Sequence, residues 1–117
     1  MAVELSRADA LALWRAAISE SVRRDGPDLS ARQMAILLAV YIGEPPHTVR
    51  GLAADLKIAK PAVSRALDRL SILGLVRRKT DPDDRRNVLV QRTVKGATFL
   101  SDFAAVVTAA GRALDGG

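Results

Sequence analysis

Four polar residues share one face of a predicted helix and are the first group in this sequence that could bind or react: Ser64, Arg65, Asp68 and Arg69. The apolar residues between them recur at helical spacing, which predicts a buried opposite face formed by Val63, Ala66, Leu67 and Leu70. Guanidinium and hydroxyl groups donate hydrogen bonds to phosphate oxygens and to base edges. On most helices such a face is only solvated, so the neighbouring segments must decide between the two interpretations.

Residues 48–74 are predicted to form two short helices joined by a tight turn. Thr48 is placed to cap the first, over residues 49–56. The second begins at Lys60 or Pro61, because a first-turn residue needs no intrahelical N–H bond, and it ends at Gly74. Two packed helices with a short turn form a helix-turn-helix, whose second helix can lie in the major groove of DNA.

After Gly74 the pattern changes to two strand-like runs, residues 75–79 and 87–91, separated by a charged turn. A hairpin directly after a helix-turn-helix is typical of the wing of a winged-helix domain, so we call residues 75–91 the wing. Arg85 and Arg86 stand at its tip, and a narrow, electronegative minor groove attracts such side chains. The alternative is a solvated turn rich in aspartate and arginine.

A helix over residues 31–42 is predicted to form the buried centre of the fold, since it is apolar nearly all round. Ser30 and Gln33 fit a capping box at its start. Residues 43–47 read as a loop by composition. His47, the only histidine, has no partner cluster there and is expected to be a solvated side chain.

Helices are also predicted at both ends of the chain. The first covers residues 6–24 with Ser6 as its cap, and the last runs from Thr93, its cap, to Leu114. Trp14 in the first is most simply interpreted as a core residue. The last helix has little of a small domain left to pack on, so its natural partner is another copy of the chain. We predict dimerisation helices at residues 1–25 and 94–115 that use Leu11, Trp14, Ile18, Phe99, Phe103, Val106 and Ala110. The alternative is packing on the chain's own core.

The length of 117 residues predicts a single domain over residues 1–117. The chain has no cysteine, which excludes disulfides, thiolate metal sites and cysteine nucleophiles. The longest apolar run, residues 34–43, is far below the roughly 20 residues that a membrane span needs. The N-terminus has no signal-peptide pattern. We therefore expect a cytoplasmic protein without a membrane partner, a metal or a cofactor.

The net charge is +5, and it is localised. Residues 50–95 hold 12 of the 18 basic and 5 of the 13 acidic residues, a net +7, whereas the rest of the chain carries −2. This distribution favours an anionic partner over a merely soluble basic surface, where both signs are usually interspersed. An enzyme is not expected, because the sequence offers no pattern of paired catalytic groups.

Between Leu29 and Phe103 the chain resembles the MarR family of bacterial winged-helix regulators. The resemblance is carried, in order, by LA at 52–53, VSRALDRL at 63–70, LGLVRR at 73–78, DPDDRR at 81–86 and TVKG at 93–96. It implies a homodimer joined by its terminal helices, with recognition helices in successive major grooves and wings in the flanking minor grooves. By position, Ser64 and Arg65 match residues that contact bases or phosphates, Arg86 matches the wing arginine, and Asp84 matches the acid that orients it. Arg92 departs from the family, which usually has leucine there.

We accordingly predict a mainly α fold with a small β-hairpin, a winged helix-turn-helix with terminal dimerisation helices. The expected function is that of a bacterial, nucleoid-associated transcriptional repressor. It is expected to bind a pseudo-palindromic operator in double-stranded DNA. The sequence leaves open whether a small-molecule effector also binds. The alternative is a module that binds DNA nonspecifically or binds an acidic protein. The predicted DNA contacts are Thr48, Lys60, Pro61, Ala62, Ser64, Arg65, Arg69, Arg78, Arg85 and Arg86, with Asp84 as the orienting acid.

Overall fold

The structure, a computed structural model, describes residues 3–115. Within them the chain forms five helices and three short strands: α1 Arg7–Arg23, α2 Ala31–Ile42, β1 His47–Thr48, α3 Val49–Leu56, α4 Lys60–Ile72, β2 Val76–Thr80, β3 Val88–Arg92 and α5 Val94–Asp115. The residues fall into two compact units, residues 29–99 and the segments on either side of them. The predicted fold class, mainly helical with a β wing, is confirmed.

Side-chain caps fix where four of the helices begin, and each was predicted from the sequence. Ser6 accepts a hydrogen bond from the Asp9 N–H at 3.0 Å. At α2 the capping box is complete, with bonds of 3.1 Å and 2.9 Å between Ser30 and Gln33. Thr48 and Thr93 cap α3 and α5 in the same way. These bonds satisfy N–H groups that have no partner within the helix.

The core of unit 29–99 lies between α2, α3 and α4. Helix α2 contributes Ile36, Leu37 and Val40, each with 0% of its surface exposed. The apolar face of α4 is buried as predicted, through Val63, Ala66, Leu67 and Leu70. Ile42, at the end of α2, is 79% exposed, so only part of this apolar helix is central. The packing orients α4 with its polar face outward.

The sheet has the order β1-β3-β2, with both pairings antiparallel. β2 and β3 form the wing, each displaced by one residue from the predicted strands. The two-residue strand β1 covers His47, the last residue of the predicted loop, and Thr48, the predicted cap of α3, and it pairs His47 with Val90 and Thr48 with Leu89. Two residues give no alternating pattern, so their pairing with β3 could not be predicted from the local sequence.

The unit formed by the two ends of the chain leaves an apolar stripe of α1 exposed. Trp14 is 66% exposed, so its interpretation as a core residue is wrong for the isolated chain. Leu11, Ile18 and Val22 are likewise 62%, 45% and 63% exposed, while Ala17 is buried.

Helix α5 is long and apolar enough to cross a membrane by length and composition alone. An 18-residue stretch within Val94–Leu114 has a mean hydropathy of 1.2, and none of that stretch is buried.

Tyr41 joins three segments of unit 29–99. Its hydroxyl lies 2.7 Å from the Leu75 carbonyl and 3.1 Å from the Thr93 carbonyl, and it accepts a hydrogen bond from the Thr93 N–H at 2.9 Å. The chain passes this hydroxyl closely at Gly96, where a Cβ would overlap both the Tyr41 hydroxyl and the Leu75 carbonyl. Glycine is therefore required where α5 begins beside the base of the wing.

We expect Gly96→Ala to destabilise the protein, because the added methyl group meets backbone that cannot move aside. Overpacking of this kind costs about 1–3 kcal/mol. The control is Gly111→Ala on the same helix, where nothing lies within 4 Å of the new Cβ. Alanine is the better helix former by up to about 1 kcal/mol, so this control should be neutral or stabilising. Urea unfolding at one protein concentration measures both, and equal stabilities would contradict the contact.

Candidate nucleic-acid interface

The outward side of α4 presents the polar face that the sequence predicted. Arg65, Asp68 and Arg69 are exposed and Ser64 is half-buried. Lys60 and Pro61 are exposed at the start of the helix, where the N-cap residue Ala59 makes no side-chain cap. An uncapped helix start favours a negatively charged acceptor such as a phosphate. Ala62 is only 8% exposed and packs in the core, which leaves it almost no surface for a contact.

The wing presents a second basic surface. From Arg77 to Thr80 every residue of β2 is exposed, and so are Arg85 and Arg86 at the tip. Backbone bonds close the tip, since the Asp81 N–H donates to the Asn87 carbonyl at 3.0 Å and the Asn87 N–H donates to the Asp84 carbonyl at 2.9 Å. The arginines are thus displayed by an ordered turn.

Asp84 holds the Arg86 guanidinium in a bidentate pair. The Arg86 Nε and Nη2 atoms donate to the two carboxylate oxygens of Asp84 at 3.0 Å and 3.2 Å, and the Arg86 backbone N–H donates at 3.1 Å. Arg86 remains 84% exposed. Its guanidinium, followed by its backbone N–H and the charge of Arg50, holds the pKa of Asp84 below the ordinary value. The expected pairing is present, whereas its role in binding stays a prediction.

Arg78 lies in β2 with its guanidinium against α4. Its Nη1 atom is 2.7 Å from Oδ1 of Asp68, and the Arg78 side chain is 33% exposed. The sequence predicted Arg78 as a DNA contact and gave no signal for this pair, because the two residues stand in different elements. The ion pair connects the polar face of α4 to the wing.

Two further residues near this surface refine the sequence prediction. Arg50 is exposed in the first turn of α3, and its charge acts on Asp84 in the wing. It was not among the predicted contacts, although it lies two residues after Thr48. Thr48 itself is half-buried, and its hydroxyl accepts the Gly51 N–H at 2.9 Å. Arg50 therefore adds to the basic surface, while the Thr48 hydroxyl is engaged in capping.

The sequence profile of the MarR family matches residues 28–87, the segment that contains α2, the helix pair and most of the wing. The chain belongs to the MarR family. Its fold is that of the family's transcriptional regulators, five helices with a small three-stranded antiparallel sheet.

Solved structures of similar fold include proteins from S. aureus and from Methanosarcina mazei Go1. A single-site mutant of MepR from S. aureus bound to an oligodeoxyribonucleotide gives a TM-score of 0.80 at 21% identity, over 97% of this chain and 84% of that one. A MepR–DNA complex from S. aureus gives 0.66 at 20% identity, over 85% and 76%. A MarR transcriptional regulator from Methanosarcina mazei Go1 gives 0.69 at 27% identity, over 95% and 79%.

Arg92, at the end of β3, has a structural role. Its Nε and Nη2 atoms donate to the carbonyls of Val40 and Gly43 at 2.8 Å and 2.9 Å, and its guanidinium lies 5.9 Å from the centre of the Tyr41 ring. These carbonyls are at the end of α2, where the last turn lacks intrahelical donors. Arg92 therefore caps α2 and ties it to the end of β3.

Among the described residues, no group of three or more His, Cys, Asp or Glu side chains is arranged to hold a metal ion. His47 is half-buried, and its Nε2 atom lies 3.2 Å from the Gly43 carbonyl. The side chain is therefore only partly solvated, where the sequence predicted a solvated one. The contact gives His47 a local structural partner.

We expect Arg86→Ala to raise the pKa of Asp84, because it removes the largest stabiliser of the carboxylate. A depressed carboxyl pKa means that the pair is present at neutral pH and is lost only as the pH falls through the lowered value. Titration of the Asp84 carboxyl carbon by NMR measures the shift. Arg50→Ala serves as the comparison and should raise the pKa less. An Asp84 pKa that does not respond to Arg86→Ala would show that the pair does not form in solution.

Proposed function

We propose that this protein is a transcriptional regulator that binds a specific sequence in double-stranded DNA. The observation that carries the proposal is that residues 29–99 present two basic surfaces. These are the polar face of α4 and the wing tip with its oriented Arg86. The proposal is supported by the similarity of fold to MepR from S. aureus, which has been solved in complex with DNA.

Helix α4 enters the major groove in this proposal. Its uncapped start and Lys60 meet the phosphate backbone, where cations release condensed counterions. Arg65 is the residue best suited to reading a base edge, since it is exposed at the centre of the polar face and guanidinium binds guanine through two bonds. Ser64 and Arg69 contribute contacts on either side.

The wing enters an adjacent minor groove. Arg86 is 84% exposed and pairs with Asp84, which reduces the side-chain freedom that binding must remove. Arg85 is its exposed neighbour. A narrow groove over A·T-rich DNA has the strongest negative potential, so the wing selects flanking sequence by shape.

A second copy of the chain covers the apolar surface of α1 and α5. The exposed stripe around Trp14 would otherwise remain in water. On another side of α1, an open groove of about 510 Å³ is lined by Ala16, Glu20, Arg23, Ala105, Val106, Ala109 and Ala110. Small residues allow close helix approach. Asp102 of α5 is 61% exposed and lies 3.7 Å from Arg24, a charged contact that suits a protein interface better than lipid. A symmetric dimer binds a pseudo-palindromic operator, with one half-site for each copy. By occupying that operator, the protein acts as a repressor in the cytoplasm.

Binding to a preferred and to a random duplex across salt concentrations tests the function. Each neutralised phosphate adds roughly −0.9 to the slope of log affinity against log salt, and specific binding should exceed nonspecific binding by roughly 10³ or more. Arg65→Ala should cost about 1–3 kcal/mol on the preferred duplex and much less on the random one. Equal losses would make Arg65 a phosphate contact. Equal affinity of the wild type for both duplexes would support a nonspecific binder instead, and a flat salt dependence would rule out DNA binding.

The dimer is tested by Trp14→Asp, which places a charge within the exposed stripe of α1. We expect sedimentation to show a monomer where the wild type is a dimer. Affinity for the full operator should fall by about 10² or more, because linked binding of two half-sites is lost. Ala12→Asp, which places the same charge on an exposed residue of α1 outside the stripe, should change neither. A Trp14→Asp protein that remains dimeric would contradict the proposed interface.

A further inference from the structure

The contact between Asp68 and Arg78 is a short ion pair between two elements. Its 2.7 Å separation compares with 3.0 Å between Arg86 and Asp84 and 3.7 Å between Arg24 and Asp102. The two side chains belong to different elements, α4 and β2, which are separated only by Leu73–Leu75. The Asp68 carboxylate is 60% exposed, so the pair lies at the surface of the proposed DNA-binding side rather than in the core.

Asp68 is the only acidic residue of α4. It follows Arg65 by three positions and Ser64 by four, which puts all three on one side of the helix. A free carboxylate there would repel phosphates, and it could also attract the Arg65 guanidinium away from DNA. Pairing with Arg78 neutralises this charge and leaves Arg65 available.

Arg78 is well placed to transmit a contact with α4 to the whole wing. It occupies the centre of β2 and is paired in register with Val90, which is 3% exposed. β2 and β3 are paired along all five residues, so the hairpin moves as one piece. Beyond Arg78, the side chains of Lys79 and Thr80 are exposed. An ion pair at this point therefore restrains the angle between the hairpin and α4.

We propose that Asp68 and Arg78 are positioning residues, which hold the wing against α4 so that Arg65 and Arg86 engage adjacent grooves together. This inference rests on the proposed DNA-binding function and changes one predicted role: Arg78 acts through Asp68 and not as a direct DNA contact. Partly exposed ion pairs contribute little to folding. Variants of the pair should therefore fold, and the effect is expected in binding.

The test measures how much Arg86→Ala weakens binding to the preferred duplex in four backgrounds of the full-length protein: wild type, Asp68→Asn, Arg78→Ala and Asp55→Asn. Asp55 is an exposed acid on α3, so its substitution makes the same change of charge without touching the pair. If the pair positions the wing, the fold-loss from Arg86→Ala shrinks by at least about twofold in the Asp68→Asn and Arg78→Ala backgrounds and is unchanged with Asp55→Asn. The double variant Asp68→Asn with Arg78→Ala should bind the preferred duplex no more weakly than whichever single variant has the lower affinity.

Equal fold-losses from Arg86→Ala in all four backgrounds would overturn the inference while leaving the proposed function intact. A second result would also overturn the inference. Asp68→Asn would tighten binding as Asp55→Asn does, and its effect on affinity would add to the loss from Arg78→Ala. Arg78 would then be a phosphate contact. An Arg86→Ala variant that binds like the wild type would also overturn it, since the wing would then have no contact to position. Failure of the proposed function has a different signature, the absence of salt-dependent binding by the wild type itself.

Discussion

The burial of the apolar side of α4 is the constraint on which the rest of the structure depends. Val63, Leu67 and Leu70 have no exposed surface, and they hold the helix against α2 and α3. Rotating α4 by one residue would expose these side chains and bury a guanidinium, at a cost of several kcal/mol. The orientation of Arg65 and its neighbours is thus set by packing, before any ligand binds.

Three arginines near this helix differ in their partners. Arg86 pairs with the neighbouring acid Asp84 and stays exposed, which suits a contact made by the wing. Arg78 pairs with Asp68 across two elements. Arg92 donates to carbonyls at the end of α2 and has no acidic partner in that contact. In the proposed account the local positive charge of the sequence therefore divides into contact, positioning and capping groups, which composition cannot distinguish.

The sequence predicted features that depend on neighbours along the chain. The bounds of α2 and α3, the capping residues and the buried face of α4 follow from local periodicity and side-chain chemistry, and they are confirmed. Features that depend on distant residues were missed, namely β1, the Asp68–Arg78 pair and the partners of Arg92. Trp14 was misjudged because periodicity identifies an apolar face and does not say whether the same chain or another covers it.

Selection from random-sequence DNA followed by footprinting tests the central claim, that α4 and the wing read adjacent grooves from a symmetric dimer. The account predicts an enriched palindrome whose half-sites are centred about one helical turn, roughly 34 Å, apart. Protection should extend on both sides into flanks with narrow minor grooves, where the wings bind. No enriched sequence, or a single half-site without flanking protection, would contradict it.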